Sequence, residues 1–179
     1  LVDAEDSYTK EWGERLGIDN SKLLILKNEK TFSGVTNRVV EYMQAGVDFV
    51  LIDSISTLVP GSFFEKNNEL KDFENTNQIG QHARECGKMC ATFNLVNEKT
   101  LILLISQITT GIYNWGAVGE PQGGKKTGHI NSVTLKLTYS LIEKNQIKGN
   151  VKDGDRVYEQ QIGSAVDWFV DKEQGSGMD

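Results

Sequence analysis

Three polar residues close three apolar runs in this chain, and each is of a type that can handle phosphate chemistry. Glu5 ends Leu1-Val2-Asp3-Ala4, Asp53 ends Phe49-Val50-Leu51-Ile52, and Gln107 follows the run from Thr100 to Ser106. A carboxylate at the end of an apolar strand can hold a magnesium ion beside a nucleotide through the water shell of the ion. A second carboxylate can orient or deprotonate a water that attacks a terminal phosphate. An amide can hydrogen-bond a phosphate oxygen or that water and pass the state of the site into the segment behind it. Each residue also has a plainer reading. Asp53 and Ser54 can cap the following turn, Glu5 can be an acid favoured by a helix dipole, and Gln107 can be a polar strand end.

The elements that would position these groups follow from periodicity. Leu1 to Glu5 reads as a strand tip, followed by Tyr8, Trp12 and Leu16 at helical spacing and a stop at Gly17. Leu23 to Leu26 is a short apolar run that predicts a second strand. Phe32, Val35, Val39 and Met43 mark one face of a helix that stops near Gly46. Phe49 to Ile52 has the continuous apolar pattern of a strand buried on both faces of a parallel sheet. The stretch from Val59 to about Asn75 is polar and loop-like, and Ile79, Ala83, Cys86, Cys90 and Phe93 then trace a long amphipathic helix. Thr100 to Ser106 is the most apolar strand. A glycine-rich stretch without apolar periodicity runs from Thr109 to Gly128, and a loop of that length in a compact domain is usually functional or disordered. Val133, Leu135, Leu137 and Tyr139 alternate with polar residues. A turn at Asp153-Gly154 then leads toward a further extended stretch with Val166, Trp168 and Val170. Alternating strands and helices predict an α/β fold with a mainly parallel sheet, helices on both faces and antiparallel strands at the C-terminal end. Such sheets bind ligands at the carboxyl ends of their strands, where Glu5, Asp53 and Gln107 fall.

Composition bounds the partners. The 179 residues suit one domain, and 38% hydrophobic with 25% charged residues is the balance of an ordinary globular protein, with no apolar stretch long enough for a membrane span. A net charge of -6 excludes a generally basic coat for nucleic acid, although a local patch can still bind phosphates. Cys86 and Cys90 lie four apart on the buried stripe of a helix, which points to neither a disulfide framework nor a zinc site and fits a reducing, cytoplasmic setting.

Several ordered motifs together carry a resemblance. Asp3-Ala4-Glu5, the run Leu51-Ile52-Asp53-Ser54-Ile55-Ser56-Thr57-Leu58-Val59-Pro60, and Leu103-Leu104-Ile105-Ser106-Gln107-Ile108 resemble the RecA family of recombinases, particularly its phage-encoded members, in order and separation. The resemblance covers most of the chain. It implies a three-layer RecA-like P-loop NTPase core, of which residues 1–179 would be a part. It also implies ATP and magnesium (Mg2+) as cofactors, with Glu5 as the catalytic glutamate, Asp53 and Ser54 at the metal and nucleotide, and Gln107 as the link from nucleotide to DNA. Trp12 falls where the family sets an aromatic against adenine; on pattern alone it reads equally as a core-facing residue. The resemblance places a first DNA loop at residues 59–75 and a second at 108–128, with Gly123 and Gly124 as the glycine pair of the second. Within it, Ile112, Tyr113 and Trp115 could stack on bases while Lys125 and Lys126 neutralise phosphates, and Arg84, Lys88 and His129 could add contacts from the edges. Two solvated lysines are the ordinary alternative. His82 and Gly128 stand where cations would be expected. Lys172 matches a strand whose lysines reach the nucleotide of a neighbouring subunit, although Asp171 and Glu173 flank it.

The implied function is ATP-dependent single-stranded DNA binding with homologous pairing, strand exchange and DNA-stimulated ATP hydrolysis in a homo-oligomeric filament. Single-strand-binding and mediator proteins are candidate further partners, there is no membrane partner, and the location is cytoplasmic, in the host if phage-encoded. No Gly-x-x-x-x-Gly-Lys-Ser/Thr loop occurs in these residues, so the resemblance places that loop, and the family's subunit-packing segment, upstream of Leu1, with further strands after Asp179. The 179 residues alone are therefore expected neither to hydrolyse ATP well nor to polymerise. Three other readings stay open: a RecA-like ATPase of helicase or clock-protein type working as a ring, a non-catalytic recombinase paralogue, and an acidic α/β binding domain with coincidental strand ends.

Overall fold

The structure is a computed structural model that describes residues 1–64, 80–109, 120–121, 123, 127, 129–139, 146–153, 156–164 and 166–173. It divides into two compact units, Leu1–Ile130 and Asn131–Asp179.

The first unit is built on a parallel sheet in the order β1 (Val2–Asp3), β2 (Phe49–Asp53), β3 (Leu101–Leu104). Helix α2 (Phe32–Gln44) connects the first two strands and α3 (Gln81–Val96) the last two. The apolar stripe of α2 falls on Phe32, Val35, Val39 and Met43, all buried, as its spacing predicts. Thr31 caps it, with its Oγ1 accepting the Gly34 N–H at 3.0 Å. Gly46, at φ +87°, ends it in the left-handed conformation that glycine adopts without steric cost. From α3 the buried side chains of Cys86, Met89, Cys90 and Phe93, beside the buried Gly87, join Val2, Val50 and Ile52 in a single core.

That core corrects the expected burial of β2. Val50 and Ile52 are buried while Phe49 is 47% exposed, and on β3 the residues Leu101 and Leu103 are exposed. The strands therefore alternate, because the described helices α2 and α3 both pack on the face that carries Val50 and Ile52. The expected strand from Leu23 to Leu26 reduces to one parallel bridge between Leu26 and Val2, with Asp3 N–H donating to Leu26 O at 3.0 Å. Leu24 is 54% exposed, so a longer strand would bury little more.

Helix α1 (Lys10–Arg15) is short and does not bury the expected stripe. Tyr8 precedes the helix, Thr9 caps it, and Trp12 and Leu16 are exposed. The buried residue is Gly13, which the Tyr8 ring approaches too closely for any side chain there, while the Tyr8 hydroxyl donates to Asn20 Oδ1 at 2.7 Å.

Past β3 the chain forms a two-stranded antiparallel pair, β4 (Ile108–Thr109) with β5 (Glu120–Pro121), which brings together the two ends of the segment 110–119. In the second unit β6 (Val133–Tyr139) pairs antiparallel with β9 (Val166–Glu173), and between them in sequence β7 (Gln146–Asp153) pairs with β8 (Arg156–Ser164). The antiparallel ending is as expected, but the turn after Asp153 joins β7 to β8, and the Val166 strand returns to Val133.

Removing a fully buried side chain from this core leaves a cavity as well as losing transfer energy. Ile52→Ala should lower the unfolding free energy by about 2–5 kcal/mol. Leu95→Ala, at an 84% exposed position on α3, should change it by no more than about 0.5 kcal/mol. Urea unfolding followed by circular dichroism distinguishes the two.

Candidate functional site

The parallel register of β1 and β2 sets Asp3 opposite Asp53, and the chain continues the pairing with Ala4 N–H donating to Asp53 O at 2.8 Å. Beyond that point the two segments meet through side chains. Ser54, 1% exposed, donates its hydroxyl to Glu5 Oε1 at 2.6 Å. The peptide between Asp53 and Ser54 is cis. On the other side of β2, Ile105 N–H donates to Ile52 O at 3.0 Å and Ile55 N–H to Ile105 O at 2.9 Å. Gln107 N–H then donates to Ser56 Oγ at 2.9 Å, leaving the exposed Gln107 side chain at the same edge. Glu5, Asp53, Ser54 and Gln107 thus share the carboxyl edge of one sheet.

Electrostatics separates the carboxylates. Burial, then the charges of Glu5 and Asp3, push the Asp53 carboxyl above the ordinary aspartate range. Asp3 is more deeply buried, and burial alone would raise it too. The Ser7 and Tyr8 N–H groups at 3.0 and 3.1 Å and the Lys27 ammonium at 3.2 Å outweigh burial and hold Asp3 below that range. Lys27 also donates to Tyr8 O at 3.1 Å, and Lys30 donates to Ala4 O at 2.6 Å and Asp6 Oδ2 at 2.7 Å. Two lysines therefore fasten the turn that carries Glu5.

Asp53 has no such partner: no hydrogen bond or ion pair to its carboxylate is found among the described residues. A divalent cation there would relieve the repulsion among three acids, so the residues fit magnesium. Among the described residues no cluster of three or more His, Cys, Asp or Glu could enclose a metal.

The other residues singled out by sequence are placed as follows. Trp12 is 57% exposed on α1, which removes the core-facing alternative. Arg84 and Lys88 are exposed on α3, with Lys88 paired to Glu85 at 2.8 Å. His129 is exposed. Lys172 lies in β9 opposite Thr134. Gly123 is buried at φ +117°. Ile112, Tyr113, Trp115, Gly124, Lys125 and Lys126 lie outside the described residues.

Around Gly123 the packing is close. The Thr127 hydroxyl donates to Gly123 O at 2.8 Å, and Cys86 Sγ stands 3.5 Å from Thr127 Oγ1. Both cysteines are free and buried. His82 is structural: its Nε2 lies 3.1 Å from Ile55 O, its ring meets Phe32 edge-on at 4.8 Å, and burial lowers its pKa, which favours a neutral Nε2–H donor.

Sequence reasoning passed over Asp3, Lys27, Lys30 and Ser56. The Asp-Ala-Glu spacing held a signal for Asp3, since a charged residue inside a strand must find internal partners. Nothing local marked the lysines, whose targets are backbone carbonyls more than 15 residues away in sequence.

The family model of the RecA N-terminal domain matches residues 1–163. Among curated proteins the chain is similar to Protein RecA of Mycoplasma mycoides, 26% identical over 158 residues that cover 84% of this chain and 43% of that protein. It is similar to Protein RecA of Methylococcus capsulatus, 28% identical over 160 residues, covering 88% of this chain and 42% of that protein. Protein RecA of Malacoplasma penetrans is 30% identical over 150 residues, covering 80% and 43%. The chain spans less than half the length of these curated relatives.

The two aspartates should respond oppositely to pH. Asp3, held low when folded, contributes stability above the ordinary aspartate value of 3.8 and loses it as pH falls through its folded value. Asp3→Asn should therefore cost about 1–3 kcal/mol at pH 7, with the gap to wild type narrowing in acid. Asp53, held high, opposes folding once ionised, so without metal Asp53→Asn should stabilise increasingly as pH rises from 3.8 through the folded value. Thermal melts from pH 3 to pH 8, read against about 2–4 °C per kcal/mol for a chain of 179 residues, measure both trends.

Proposed function

The chain belongs to the RecA family, and on that premise we propose that it serves an ATP-dependent recombinase that binds single-stranded DNA in a filament. The observation that carries this reading is the meeting of Glu5, Ser54 and Asp53 with Gln107 at one sheet edge, from which the chain runs directly into β4 and the glycine-rich segment.

Each residue has a part that its surroundings support. Asp53, its charge made unfavourable by burial and by its acidic neighbours, would hold a magnesium ion, which would help neutralise the phosphates. Bound magnesium and ATP supply the electrophilic terminal phosphate. Ser54 aims the Glu5 carboxylate through the 2.6 Å hydrogen bond, so Glu5 orients and deprotonates the attacking water. Gln107, fixed at its backbone by Ser56 and exposed at its side chain, reads the terminal phosphate and biases the segment behind it. Trp12 offers an exposed ring for adenine, and Lys172 reaches the nucleotide of an adjoining subunit in the filament.

DNA contacts come from the second loop. Ile112, Tyr113 and Trp115 stack on bases, Lys125 and Lys126 neutralise phosphates, and Gly123 and Gly124 let backbone amides approach them. Arg84 and His129 add contacts from the rim. The acidic net charge makes binding local, so the salt dependence should report a small number of phosphate contacts. A protein with these partners works in the cytoplasm. Among the described residues no helix is long and apolar enough to cross a membrane.

Fluorescence anisotropy of labelled single-stranded DNA, titrated with salt, with and without ATP and magnesium, tests this in the full-length protein. Wild type should bind tightly only with nucleotide, and Gln107→Ala should lose that dependence. ATP turnover without any DNA binding would sink the recombinase reading in favour of a ring ATPase. Glu5→Gln should slow turnover by about 10²- to 10⁴-fold while ATP binding, measured by filter retention, persists.

A further inference from the structure

The residue that follows the Asp53–Ser54 edge lies beside Gly123 of the glycine-rich segment, close enough to limit any side chain there. Ile55 is 1% exposed, and its backbone is fixed on both sides, by Ile105 O at 2.9 Å and by His82 Nε2 at 3.1 Å. A Cβ placed on Gly123 would lie 3.5 Å from Ile55 Cδ1, 3.0 Å from Cys86 Sγ and 3.1 Å from Thr127 Oγ1. The backbone of Gly123 therefore fits into a niche walled by the strand end, by α3 and by Thr127. The φ of +117° makes that conformation costly for any other residue.

Hydrogen bonds hold the niche together. The Thr127 proton goes to Gly123 O at 2.8 Å, so the Cys86 S–H donates to Thr127 Oγ1 at 3.5 Å. Cys86 is 0% and Thr127 7% exposed, so neither has water as a substitute partner. Close-packed contacts of this kind switch between discrete arrangements and do not deform continuously.

We propose that Cys86 and Thr127 are positioning residues that clamp Gly123 against Ile55 and so form a second link, beside Gln107, between the Asp53–Ser54 edge and the glycine-rich segment. A shift of Ser54 on binding metal and nucleotide moves Ile55, and Ile55 moves Gly123 only while the clamp is closed. The proposal rests on the reading of that segment as a DNA loop.

The test uses the full-length protein and a fluorescein-labelled oligothymidylate, and compares its Kd with ADP and with a non-hydrolysable ATP analogue, both with magnesium. Thr127→Val keeps the side-chain shape and removes both hydrogen bonds, and it should lower the ratio of the two Kd values at least about fivefold. Thr127→Ser keeps the hydroxyl and should retain the ratio. A smaller loss in Thr127→Val, or one that Thr127→Ser shares, overturns the proposal. A second measurement, alkylation of Cys86 by iodoacetamide located by mass spectrometry, needs no DNA. Its rate should depend on the nucleotide in wild type and not in Thr127→Val; a rate indifferent to nucleotide in wild type overturns the clamp. If wild type shows no nucleotide-dependent DNA binding, the functional reading fails and the alkylation rates alone decide the clamp. Should Thr127→Val fail to fold by circular dichroism, Cys86→Ala against Cys86→Ser makes the same comparison.

Discussion

The parallel pairing of β1 with β2 in the register Val2 to Ile52 and Asp3 to Asp53 is the constraint on which the rest depends. The same register that buries Val2 and Ile52 in the core brings two aspartates onto neighbouring strands, which in any sheet lie about 4.8 Å apart. A slip of one residue would move the apolar side chains off the core and separate the acids. Core and site are therefore fixed by a single choice, and the cost of placing like charges together is built into the fold.

That cost is resolved unequally. Asp3, the more deeply buried, takes two backbone N–H groups and Lys27, and so becomes a structural anion. Asp53 has no such partners among the described residues, and its charge remains unfavourable. One carboxylate of the neighbouring pair is thus compensated by protein groups and the other, among the described residues, is not. Lys30 fixes the turn through Ala4 O and Asp6, and Ser54 fixes the exposed Glu5 carboxylate through one hydrogen bond of 2.6 Å.

Past the edge, the described contacts are the β4–β5 pair and the surroundings of Gly123. β4 and β5 bring the two ends of residues 110–119 together, and Gly123 sits against Ile55, Cys86 and Thr127. Between the sheet edge and the described part of that segment lie the Gln107 to Ser56 hydrogen bond and the close surroundings of Gly123.

Periodicity alone made much of this legible. The helices α2 and α3, the buried stripe with Cys86 and Cys90, and the three strand ends all follow from runs whose period is 3.6 or which are continuously apolar. The family followed from the order of Asp3-Ala4-Glu5, Asp53-Ser54 and Gln107. Where local pattern misled, the reason was a contact it could not contain. Trp12 faces outward because Gly13 accepts the Tyr8 ring, and Leu23 to Leu26 shrinks to one bridge because Val2 needs a partner only at Leu26. The sequence determined which residues could do chemistry and on which elements they stand, since both depend on neighbours within a turn or two. Only the tertiary structure decided that Asp3 is internal and Asp53 available, that Ser54 aims Glu5, and that Cys86 meets Thr127. Those outcomes depend on strand register and on hydrogen bonds across 40 to 50 residues of chain, distances over which no local pattern carries information.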